Sequence, residues 1–488
     1  MKVCVSVAEK DVRSAVDACI SAKERGADLI EVRFDHMDQV PMSLLGFGSV
    51  GVPMIATLRS VAEGGRYSGS DDGKVRFLAE AVKEGFSYVD VELGFASMAD
   101  LSKAVGDGKM IVSYHDFERT PKTSDMVHLL VSCSAKGSLA KVAFQINRPK
   151  DVLALVEASR AYAETGNDFV AIGMGERGAV TRVLFERFGA SFTYASMGAG
   201  KEVSPGQIDI GSMRRLKGDI IVTGVTGQSL SHSLSAWMHN AAYADEGMPG
   251  MYLKFQAEKD DLPDLLDMIT ELEIRGTNVT IPHKQSIVPL LDELDPEAER
   301  IGAVNTVKNE DGVMKGFNTD VHGVRMTFEK AGFDPRGKDV LVMGAGGAAR
   351  AVSSYLSASK ANTYMANRTP DKAKALADSF DGIEVIDLND VAKRRYDAIV
   401  NCTPLGMKGY PDELSVPADV IGPGQFIMDT IYNPPKTRLV LEGEARGANA
   451  VSGKDMLIFQ AMRAFEIWTG TLPKYEVMKA GFEEGMAR

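Results

Sequence analysis

The feature that most constrains the fold is a repeat of short apolar runs in the first part of the chain. Eight runs of strand length recur there, separated by helix-length amphipathic stretches, at residues 2–7, 29–34, 54–59, 88–93, 110–114, 139–146, 169–174 and 191–196. Strands that alternate with helices form parallel sheets, and eight repeats over about 200 residues is the minimum for a closed (βα)8 barrel. The sequence therefore predicts an α/β chain that begins with a TIM-type barrel.

Polar side chains share one face of several of these strands. Since side chains alternate between the two faces of a strand, the same face carries Glu31 and Arg33, Thr57 and Arg59, Asp90 and Glu92, Ser113 and His115, and Lys141, Ala143 and Gln145. The opposite faces are apolar and suit the layer between barrel and helices, so the polar faces should point into the barrel mouth. Buried charges need partners, and the three acids among them can offset Arg33, Arg59 and Lys141. Five such strands indicate a polar ligand.

Lys141 is the strongest candidate for catalysis in this half. Its place in mid-strand near Arg33 and Arg59 favours a neutral amine, through desolvation and like charge, and a neutral lysine is a nucleophile that forms imines with carbonyls. The alternative is a lysine that only neutralises Asp90 or Glu92. His115 could act as general acid and base, and Glu63 is a candidate to orient it.

The second half begins after a turn at Ser204 and a short polar connector. An apolar strand at 220–225 enters a loop in which Ser233 and Ser235 could offer hydroxyls to an anion, although either could instead cap the following helix. Lys284 and Asp320 lie in two further loops and form a natural proton-transfer pair for alcohol and ketone chemistry. A surface salt bridge would have the same ingredients.

A glycine-rich segment indicates a dinucleotide site. The buried strand at 340–343 is followed by Gly344, Gly346 and Gly347 and then by a helix-like run, which is the context that the dinucleotide-binding fingerprint requires. The next strand ends at Arg368, with Lys372 four residues on, where an NAD-binding protein usually has an acid. This pattern predicts NADP rather than NAD, because the cations suit a 2′-phosphate.

Composition excludes several classes of protein. With 67 acidic and 55 basic residues the net charge is −12, which disfavours nucleic-acid binding. No apolar stretch approaches the length of a membrane span, and the amino terminus does not resemble a signal peptide. The four cysteines are scattered without metal-ligand spacing, so neither a metal site nor a disulfide framework is predicted. We expect a soluble protein of the cytoplasm with small-molecule substrates, and no feature indicates an oligomeric state.

The first half resembles the type I 3-dehydroquinate dehydratases over nearly all of residues 1–210. The resemblance is carried by EVRFD at Glu31, TLRSVAEGG at Thr57, SYHDF at Ser113, KVAFQ at Lys141, MGERGAVTR at Met174 and SPGQ at Ser204. It implies that Lys141 forms a Schiff base with the ring ketone of 3-dehydroquinate, that His115 moves the protons, and that Arg182 holds the carboxylate. The same comparison assigns substrate or lid contacts to Glu31, Arg33, Arg59, Ser204 and Gln207. Val203 departs from the small or hydroxylic residue of many relatives.

The second half resembles the shikimate dehydrogenases from about residue 219 to residue 473. The shared motifs are NVTIPHK, GAVNT, FNTD, GAGGAAR, NRT, NCTPLGM, MDTIYNPPKT and SGKDMLIFQA. The resemblance implies that Lys284 and Asp320 handle the proton during reduction of 3-dehydroshikimate, and that substrate contacts come from Ser233, Ser235, Asn278, Thr280, Asn305, Tyr432 and Gln460. It places NADP against Gly344, Ala345, Gly346, Gly347, Ala348, Asn367, Arg368, Thr369, Lys372, Thr403 and Gly453. Ala236 and Asp455 depart from the usual proline and glycine.

Together these observations predict a bifunctional enzyme in which the product of one half is the substrate of the other. The predicted organisation is a dehydratase barrel at 1–212, a linker at 213–218, a shikimate-binding α/β domain at 219–328 and 466–488, and a Rossmann NADP domain at 329–465. Three alternatives are a second half that oxidises quinate with NAD, a sensor or scaffold built from degenerate copies of both domains, and a class I aldolase in the first half. Arg368 argues against the quinate reaction with NAD. The presence of Lys141, His115, Lys284 and Asp320 argues against the sensor or scaffold, and His115 with Glu63 argues against the aldolase.

Overall fold

The computed structural model describes residues 1–488 and divides into two compact units. The first comprises Met1–Thr223 and Gly247–Ile274, and the second comprises Gly224–Glu246 and Arg275–Arg488. Two ion pairs help to explain why Gly247–Ile274 groups with the first unit. Arg148 Nη2 lies 2.5 Å from Asp261 Oδ1, and Arg160 Nη1 lies 2.7 Å from Glu271 Oε2.

The eight predicted strands of the first half all form, and they make one parallel sheet. The strands are β1 Val3–Val7, β2 Leu29–Arg33, β3 Met54–Thr57, β4 Tyr88–Glu92, β5 Met110–Asp116, β6 Leu139–Gln145, β7 Phe169–Met174, β8 Thr193–Ser196 and the short β9 Ile208–Asp209. Their order is β7-β6-β5-β4-β3-β2-β1-β8-β9. The predicted barrel architecture is confirmed, with one local difference. The edges at β7 and β8 do not form a ladder and are joined by the Ser191 N–H, which donates to the Phe169 carbonyl at 2.8 Å.

Helices follow most of these strands, as the amphipathic stretches predict. They are α1 Val12–Glu24, α2 Asp71–Lys83, α3 Met98–Val105, α4 Thr123–Ser134, α5 Pro149–Ala163, α6 Ala179–Val183 and α7 Ile210–Arg215. Helix α7 overlaps the predicted connector at 213–218. Met213 and Leu216 are buried, so this segment is partly helical and packed although its composition is polar and basic.

The barrel interior has an apolar layer and a polar layer, because the inward-facing residues change character along each strand. Cys4, Leu29, Ile55, Ile111 and Leu139 come early in their strands and belong to one buried cluster. Two residues further on, the same faces present the polar side chains that the sequence pattern identified. The apolar layer therefore forms a floor beneath the polar one.

The second half carries two further sheets. The first contains strands β10 Ile221–Gly227, β11 Gly250–Gln256, β12 Gly276–Val279, β13 Glu293–Leu294, β14 Thr306–Glu310 and β15 Val313–Phe317. Helices α8 Ser235–Asp245, α9 Leu262–Glu271 and α10 Pro296–Ile301 lie between some of these strands, and α11 Asp320–Lys330 follows the last of them. Strand β14 pairs antiparallel with β12 and β15, and β13 pairs parallel with β15.

The third sheet is parallel and has the predicted Rossmann topology. Its strands are β16 Asp339–Met343, β17 Asn362–Ala366, β18 Ile383–Val385, β19 Ala398–Asn401, β20 Phe426–Asp429 and β21 Asn449–Val451, and its helices are α12 Gly347–Ala358, α13 Pro370–Ala377 and α14 Arg438–Ala445. Helices α15 Lys454–Thr469 and α16 Tyr475–Ala487 follow this sheet in the chain but pack against α11 and α8, respectively. The order is β18-β17-β16-β19-β20-β21, so the direction of winding reverses between β16 and β19. Ligands bind at such a switch point.

Two further observations concern the chain as a whole. None of its helices combines the length and the apolar composition that crossing a membrane requires. No group of three or more histidine, cysteine, aspartate or glutamate side chains is arranged to hold a metal ion.

Candidate active sites

A cavity opens at the carboxyl ends of the barrel strands, and it collects every site residue predicted for the first half. Its lining includes Glu31, Arg33, Arg59, Glu63, His115, Lys141, Arg182, Ser204 and Gln207. These residues come from β2, β5, β6 and the loops or helices that follow β3, β7 and β8, so parallel strands bring together side chains that are far apart in sequence. This end of a barrel is where active sites of the fold are built.

Lys141 lies between two carboxylates. Its Nζ is 2.8 Å from Asp90 Oδ2 and 3.2 Å from Glu31 Oε1, and it lies 4.3 Å from the centre of the Tyr194 ring. The two cations expected near Lys141 are themselves paired with carboxylates, Arg33 with Asp35 at 2.8 Å and Arg59 with Asp90 at 2.6 Å. Lysine neutralising Asp90, the alternative that the sequence left open, describes the contact seen.

His115 and Glu63 are in contact, with 3.2 Å between Nδ1 and Oε2. Burial, together with the nearby Arg59 and Lys141, holds the pKa of His115 well below its usual range. Burial raises the pKa of Glu63 to about 7, against the opposing effect of Arg59. At neutral pH the imidazole is therefore neutral and available as a base.

Arg182 is a buried cation without an anionic partner in the structure. The residue is 2% exposed, its Nε has no hydrogen-bond partner, and its one hydrogen bond runs from Nη2 to the Pro205 carbonyl at 3.4 Å. Burial lowers its pKa to about 10. Because an unpaired buried charge is costly, this guanidinium suits an anion that enters the cavity.

The loop after β8 covers the cavity beside Arg182. Gln207 Nε2 donates to Ser6 Oγ at 3.3 Å, and its Oε1 accepts the Val203 N–H at 2.8 Å. Gly206 has φ +79°, and a Cβ there would lie 2.2 Å from the Gly175 carbonyl oxygen. Any other residue at position 206 would displace the loop, so the SPGQ turn owes its glycine to close packing.

A second cavity collects the predicted substrate residues of the other half. Its lining includes Ser233, Ser235, Asn278, Thr280, Lys284, Asn305, Asp320, Tyr432 and Gln460. Helix α8 begins at Ser235, and neither serine caps it in the usual way. The Ser235 N–H donates to Ser233 Oγ at 3.4 Å, so the helix-cap alternative is present only as this weak contact.

Lys284 and Asp320 line this cavity as an ion pair, with 2.5 Å between Nζ and Oδ2. The other carboxylate oxygen accepts a hydrogen bond of 2.9 Å from Asn305 Nδ2. Asn305 is fixed in turn by the Thr319 N–H, which donates to its Oδ1 at 2.7 Å. Asn278 Nδ2 donates to Thr306 Oγ1 at 3.0 Å. The bonds made by Asn305 therefore hold the Asp320 carboxylate beside Lys284.

The glycine-rich turn between β16 and α12 fits a dinucleotide. Gly344 has φ +104°, and a Cβ there would lie 3.0 Å from the backbone of Cys402 and 3.2 Å from Thr403 Cγ2, so only glycine suits the turn. A Cβ at Gly346 or Gly347 would meet open space, which leaves the amino terminus of α12 accessible to a phosphate. Ala345 and Ala348 continue this turn.

The remaining predicted cofactor residues lie in the loop after β17 and at Gly453, before α15. Asn367 follows β17, and its Nδ2 donates to the Thr369 carbonyl at 2.8 Å, while Arg368 and Lys372 are exposed. A Cβ at Gly453 would lie 2.1 Å from the Thr430 carbonyl oxygen, so this glycine is required by packing. The set supplies exposed cations and open backbone amides, which are the groups that a 2′-phosphorylated dinucleotide needs.

Sequence reasoning missed several residues of the barrel site. Tyr194 lines the cavity under Lys141, and its hydroxyl is buried without a partner. The period of two that places Phe192 and Ser196 on one face would have found it. Asp35 and Lys74 lie outside the strands, and their pairing with barrel residues had no signal in the strand pattern.

Comparisons with known proteins cover both halves. The family model of type I 3-dehydroquinase matches residues 3–218. Three models match the second half: the shikimate dehydrogenase substrate binding domain at residues 225–307, shikimate / quinate 5-dehydrogenase at residues 327–405, and the shikimate 5'-dehydrogenase C-terminal domain at residues 453–480.

Individual relatives agree with these models. A chloroplastic bifunctional 3-dehydroquinate dehydratase/shikimate dehydrogenase of Arabidopsis thaliana is 32% identical over 499 residues, covering 96% of this chain and 82% of the relative. A shikimate dehydrogenase (NADP(+)) of Moorella thermoacetica is 42% identical and covers 56% of this chain and 96% of its own length. The crystal structure of shikimate 5-dehydrogenase from Thermus thermophilus in complex with NADP(H) and shikimate has a TM-score of 0.51 at 35% identity, covering 54% of this chain and 99% of that chain.

Proposed function

Given that the chain belongs to the bifunctional 3-dehydroquinate dehydratase/shikimate dehydrogenase family, we propose which residues carry out each reaction. The barrel dehydrates 3-dehydroquinate to 3-dehydroshikimate, and the second half reduces 3-dehydroshikimate to shikimate. The observation that supports this assignment best is the composition of the two cavities. One holds a buried lysine beside a neutral histidine, and the other holds an ion-paired lysine and aspartate.

In the barrel, Lys141 acts as the nucleophile. Its ammonium first gives a proton to water and its amine adds to the ring ketone. The resulting carbinolamine hydroxyl takes a proton back and leaves as water, which leaves an iminium. His115 removes a proton from the carbon next to the iminium carbon, and the resulting electron pair expels the ring hydroxyl, which leaves as water with the proton that His115 returns. Hydrolysis of the iminium then releases the product and restores Lys141.

The other cavity residues bind the substrate. Arg182 pairs with the substrate carboxylate, which gives that buried guanidinium the anion that it otherwise lacks. Glu31, Arg33 and Arg59 hold the ring hydroxyls, and Ser204 and Gln207 cover the ring from the loop after β8. Asp90 contacts Lys141 at 2.8 Å and keeps the amine directed at the ketone.

In the second cavity, Lys284 gives a proton to the oxygen of the ketone as it becomes an alkoxide, and Asp320 holds Lys284 in place. Asn305 fixes Asp320 through its 2.9 Å hydrogen bond. Ser233 and Ser235 bind the carboxylate, and Asn278, Thr280, Tyr432 and Gln460 contact the ring. NADPH supplies the hydride when it is bound.

We further propose three domains. The dehydratase barrel spans residues 1–212, the shikimate-binding domain spans 219–328 and 466–488, and the Rossmann NADP domain spans 329–465.

The turn after β16 and the loop after β17 would hold NADP. The backbone at Gly346 and Gly347, where a Cβ would meet open space, would bind the pyrophosphate, and Arg368 with Lys372 would pair with the 2′-phosphate. We expect Arg368→Ala to raise the KM for NADPH about tenfold, which corresponds to the loss of one charge-assisted contact of about 1.4 kcal/mol. The KM for NADH is the matched control and should change less than twofold. Equal changes in both constants would contradict the assignment.

The dehydratase kcat/KM should decline on the acid side of neutral pH, which gives its pH profile an acid limb. As the pH falls through about 7, Glu63 becomes protonated and no longer offers a negative charge to the imidazolium that forms on His115, so kcat/KM declines. Glu63→Gln lacks that charge at every pH, so its kcat/KM should be lower throughout and its remaining acid limb should report His115 and lie below pH 6.5. Profiles of kcat/KM between about pH 5 and 9 test this. A limb that stays near 7 in the variant would contradict it.

One incubation tests the proposed function as a whole. Full-length protein with 3-dehydroquinate and NADPH should yield shikimate, detected by chromatography, with oxidation of one NADPH for each shikimate formed. Borohydride added with 3-dehydroquinate should leave a reduced adduct on the peptide that contains Lys141. Formation of shikimate without any adduct would exclude the Schiff-base route, and absence of both would exclude the dehydratase assignment.

A further inference from the structure

Lys74 is a buried cation that reaches the barrel site from outside the strands. It lies on α2, a helix on the outer side of the sheet, and is only 1% exposed. Its Nζ contacts Glu92 Oε2, donates to Ser60 Oγ at 3.1 Å, and lies 5.2 Å from the centre of the Phe95 ring. A lysine is rarely buried so fully unless it is paired, and no pattern in the sequence places this one in the site.

The contact with Glu92 is the end of a continuous series of alternating charges. Glu92 Oε1 lies 3.8 Å from Arg59 Nη1, and Arg59 Nη2 lies 2.6 Å from Asp90 Oδ1. The other oxygen of Asp90 lies 2.8 Å from the Nζ of Lys141, which in turn is 3.2 Å from Glu31. No side chain in the series is more than 6% exposed. Its three cations and three anions therefore compensate one another with little help from water.

Removing one end of such a series changes the contacts at the other. Arg59 now hydrogen-bonds to Asp90 and Ser113 but not to Glu92. Without Lys74, Arg59 would be the only cation within 4 Å of Glu92, and it would be drawn away from Asp90. Asp90 would then bind Lys141 alone, and the buried group would carry a net negative charge. The position in which Asp90 holds Lys141 would then no longer be fixed by a second cation on Asp90.

We infer that Lys74 is a positioning residue of the dehydratase site, which neutralises Glu92 so that Arg59 stays on Asp90 and Asp90 holds Lys141. Lys74 does not line the cavity, so it acts on the site only through the residues that it contacts. The inference rests on the proposed dehydratase function, but it concerns a residue that takes no direct part in the chemical steps.

The position of Lys74 also gives it an effect that a purely structural residue would lack. Glu63 responds to the same charges: Glu92 and Asp90 raise its pKa, and Arg59 and Lys74 lower it. Loss of the Lys74 charge should therefore raise the pKa of Glu63 above its value of about 7. The acid limb of the dehydratase should move to higher pH, because Glu63 would become protonated earlier as the pH falls.

The first test compares Lys74→Met with Lys74→Arg in the full-length protein. Lys74→Met should lower the dehydratase kcat about tenfold to hundredfold, the scale of a misplaced catalytic group, with a change in KM below about threefold and an acid limb at higher pH. Lys74→Arg keeps the charge, so its dehydratase kcat should lie within about threefold of wild type and its acid limb should return to the wild-type pH. The reductase kcat/KM of the same samples should be unchanged, which shows that the second unit is folded, and the recovered kcat of Lys74→Arg shows that the barrel tolerates substitution at this position. Equal losses in both variants with an unmoved limb would overturn the inference.

A double variant separates the lost charge from lost packing. In Lys74→Met/Glu92→Gln both members of the pair become neutral, so the kcat of the double variant should exceed that of Lys74→Met. A loss that equals the product of the two single losses would overturn the inference, because independent sites multiply in this way. Failure of the proposed function looks different, since wild-type protein would then neither dehydrate 3-dehydroquinate nor be labelled at Lys141. Full dehydratase kcat in Lys74→Met beside an active wild type would overturn only the role of Lys74.

Discussion

Lys141→Ala is expected to lower the dehydratase kcat by roughly 10⁴-fold or more, the scale on which loss of a catalytic nucleophile acts. The reductase kcat/KM should stay within about twofold of wild type, since Lys141 lies in the barrel cavity and not among the residues around Lys284. Dehydration can be followed by the ultraviolet absorbance of the conjugated product, and reduction by the absorbance of NADPH. Both assays can be run on the same preparation.

Lys141→Arg is the matched control for charge. A guanidinium can still pair with Asp90 and Glu31, which contact the lysine at 2.8 and 3.2 Å, but it cannot form an imine. We expect this variant to be as inactive as Lys141→Ala and unlabelled by borohydride. Substantial dehydratase activity in Lys141→Arg would mean that the cation, and not the nucleophile, is what the reaction needs.

The strands of the barrel could be predicted from the sequence because their signal is local. An apolar run of strand length, with side chains that alternate at a period of two, can be recognised from a few consecutive residues. All eight runs form strands. The same period placed Glu31, Arg59, His115 and Lys141 on inward faces, and all of them line one cavity. Side chains on neighbouring parallel strands meet at one edge, so this part of the site followed from the fold.

The pairing of charges within the cavity could not be predicted in the same way. The sequence places Arg33 near Lys141, but the structure pairs Arg33 with Asp35 on the turn after β2. Lys74 belongs to a helix whose pattern gives no sign that one of its cations turns inward to Glu92. Such choices depend on side-chain rotamers and on competition among several carboxylates, neither of which a period in the sequence encodes.

In the second half, motifs in separate loops were enough to predict the pair of catalytic residues, but not the hydrogen bonds that hold the pair in place. Lys284 and Asp320 were predicted as partners, and they lie 2.5 Å apart. Asn305 donates to Asp320 and accepts the Thr319 N–H, and Asn305 and Thr319 lie next to the ends of β14 and β15, so these bonds depend on the antiparallel register of those strands. Register is a property of two paired strands, so neither motif alone indicates it.

Lys284→Ala is expected to lower the reductase kcat about 10²- to 10⁴-fold, the range for loss of a general acid or base. The dehydratase should be unaffected, so 3-dehydroquinate and NADPH should yield accumulated 3-dehydroshikimate with little shikimate. Lys308→Ala is the matched control, because Lys308 is also ion-paired, at 2.8 Å to Glu310, but does not line the cavity. Comparable losses in the two variants would mean that Lys284 acts by holding the structure together. Loss of dehydration as well would show that the two reactions are not independent, since an effect on proton transfer in one cavity cannot by itself slow imine formation in the other.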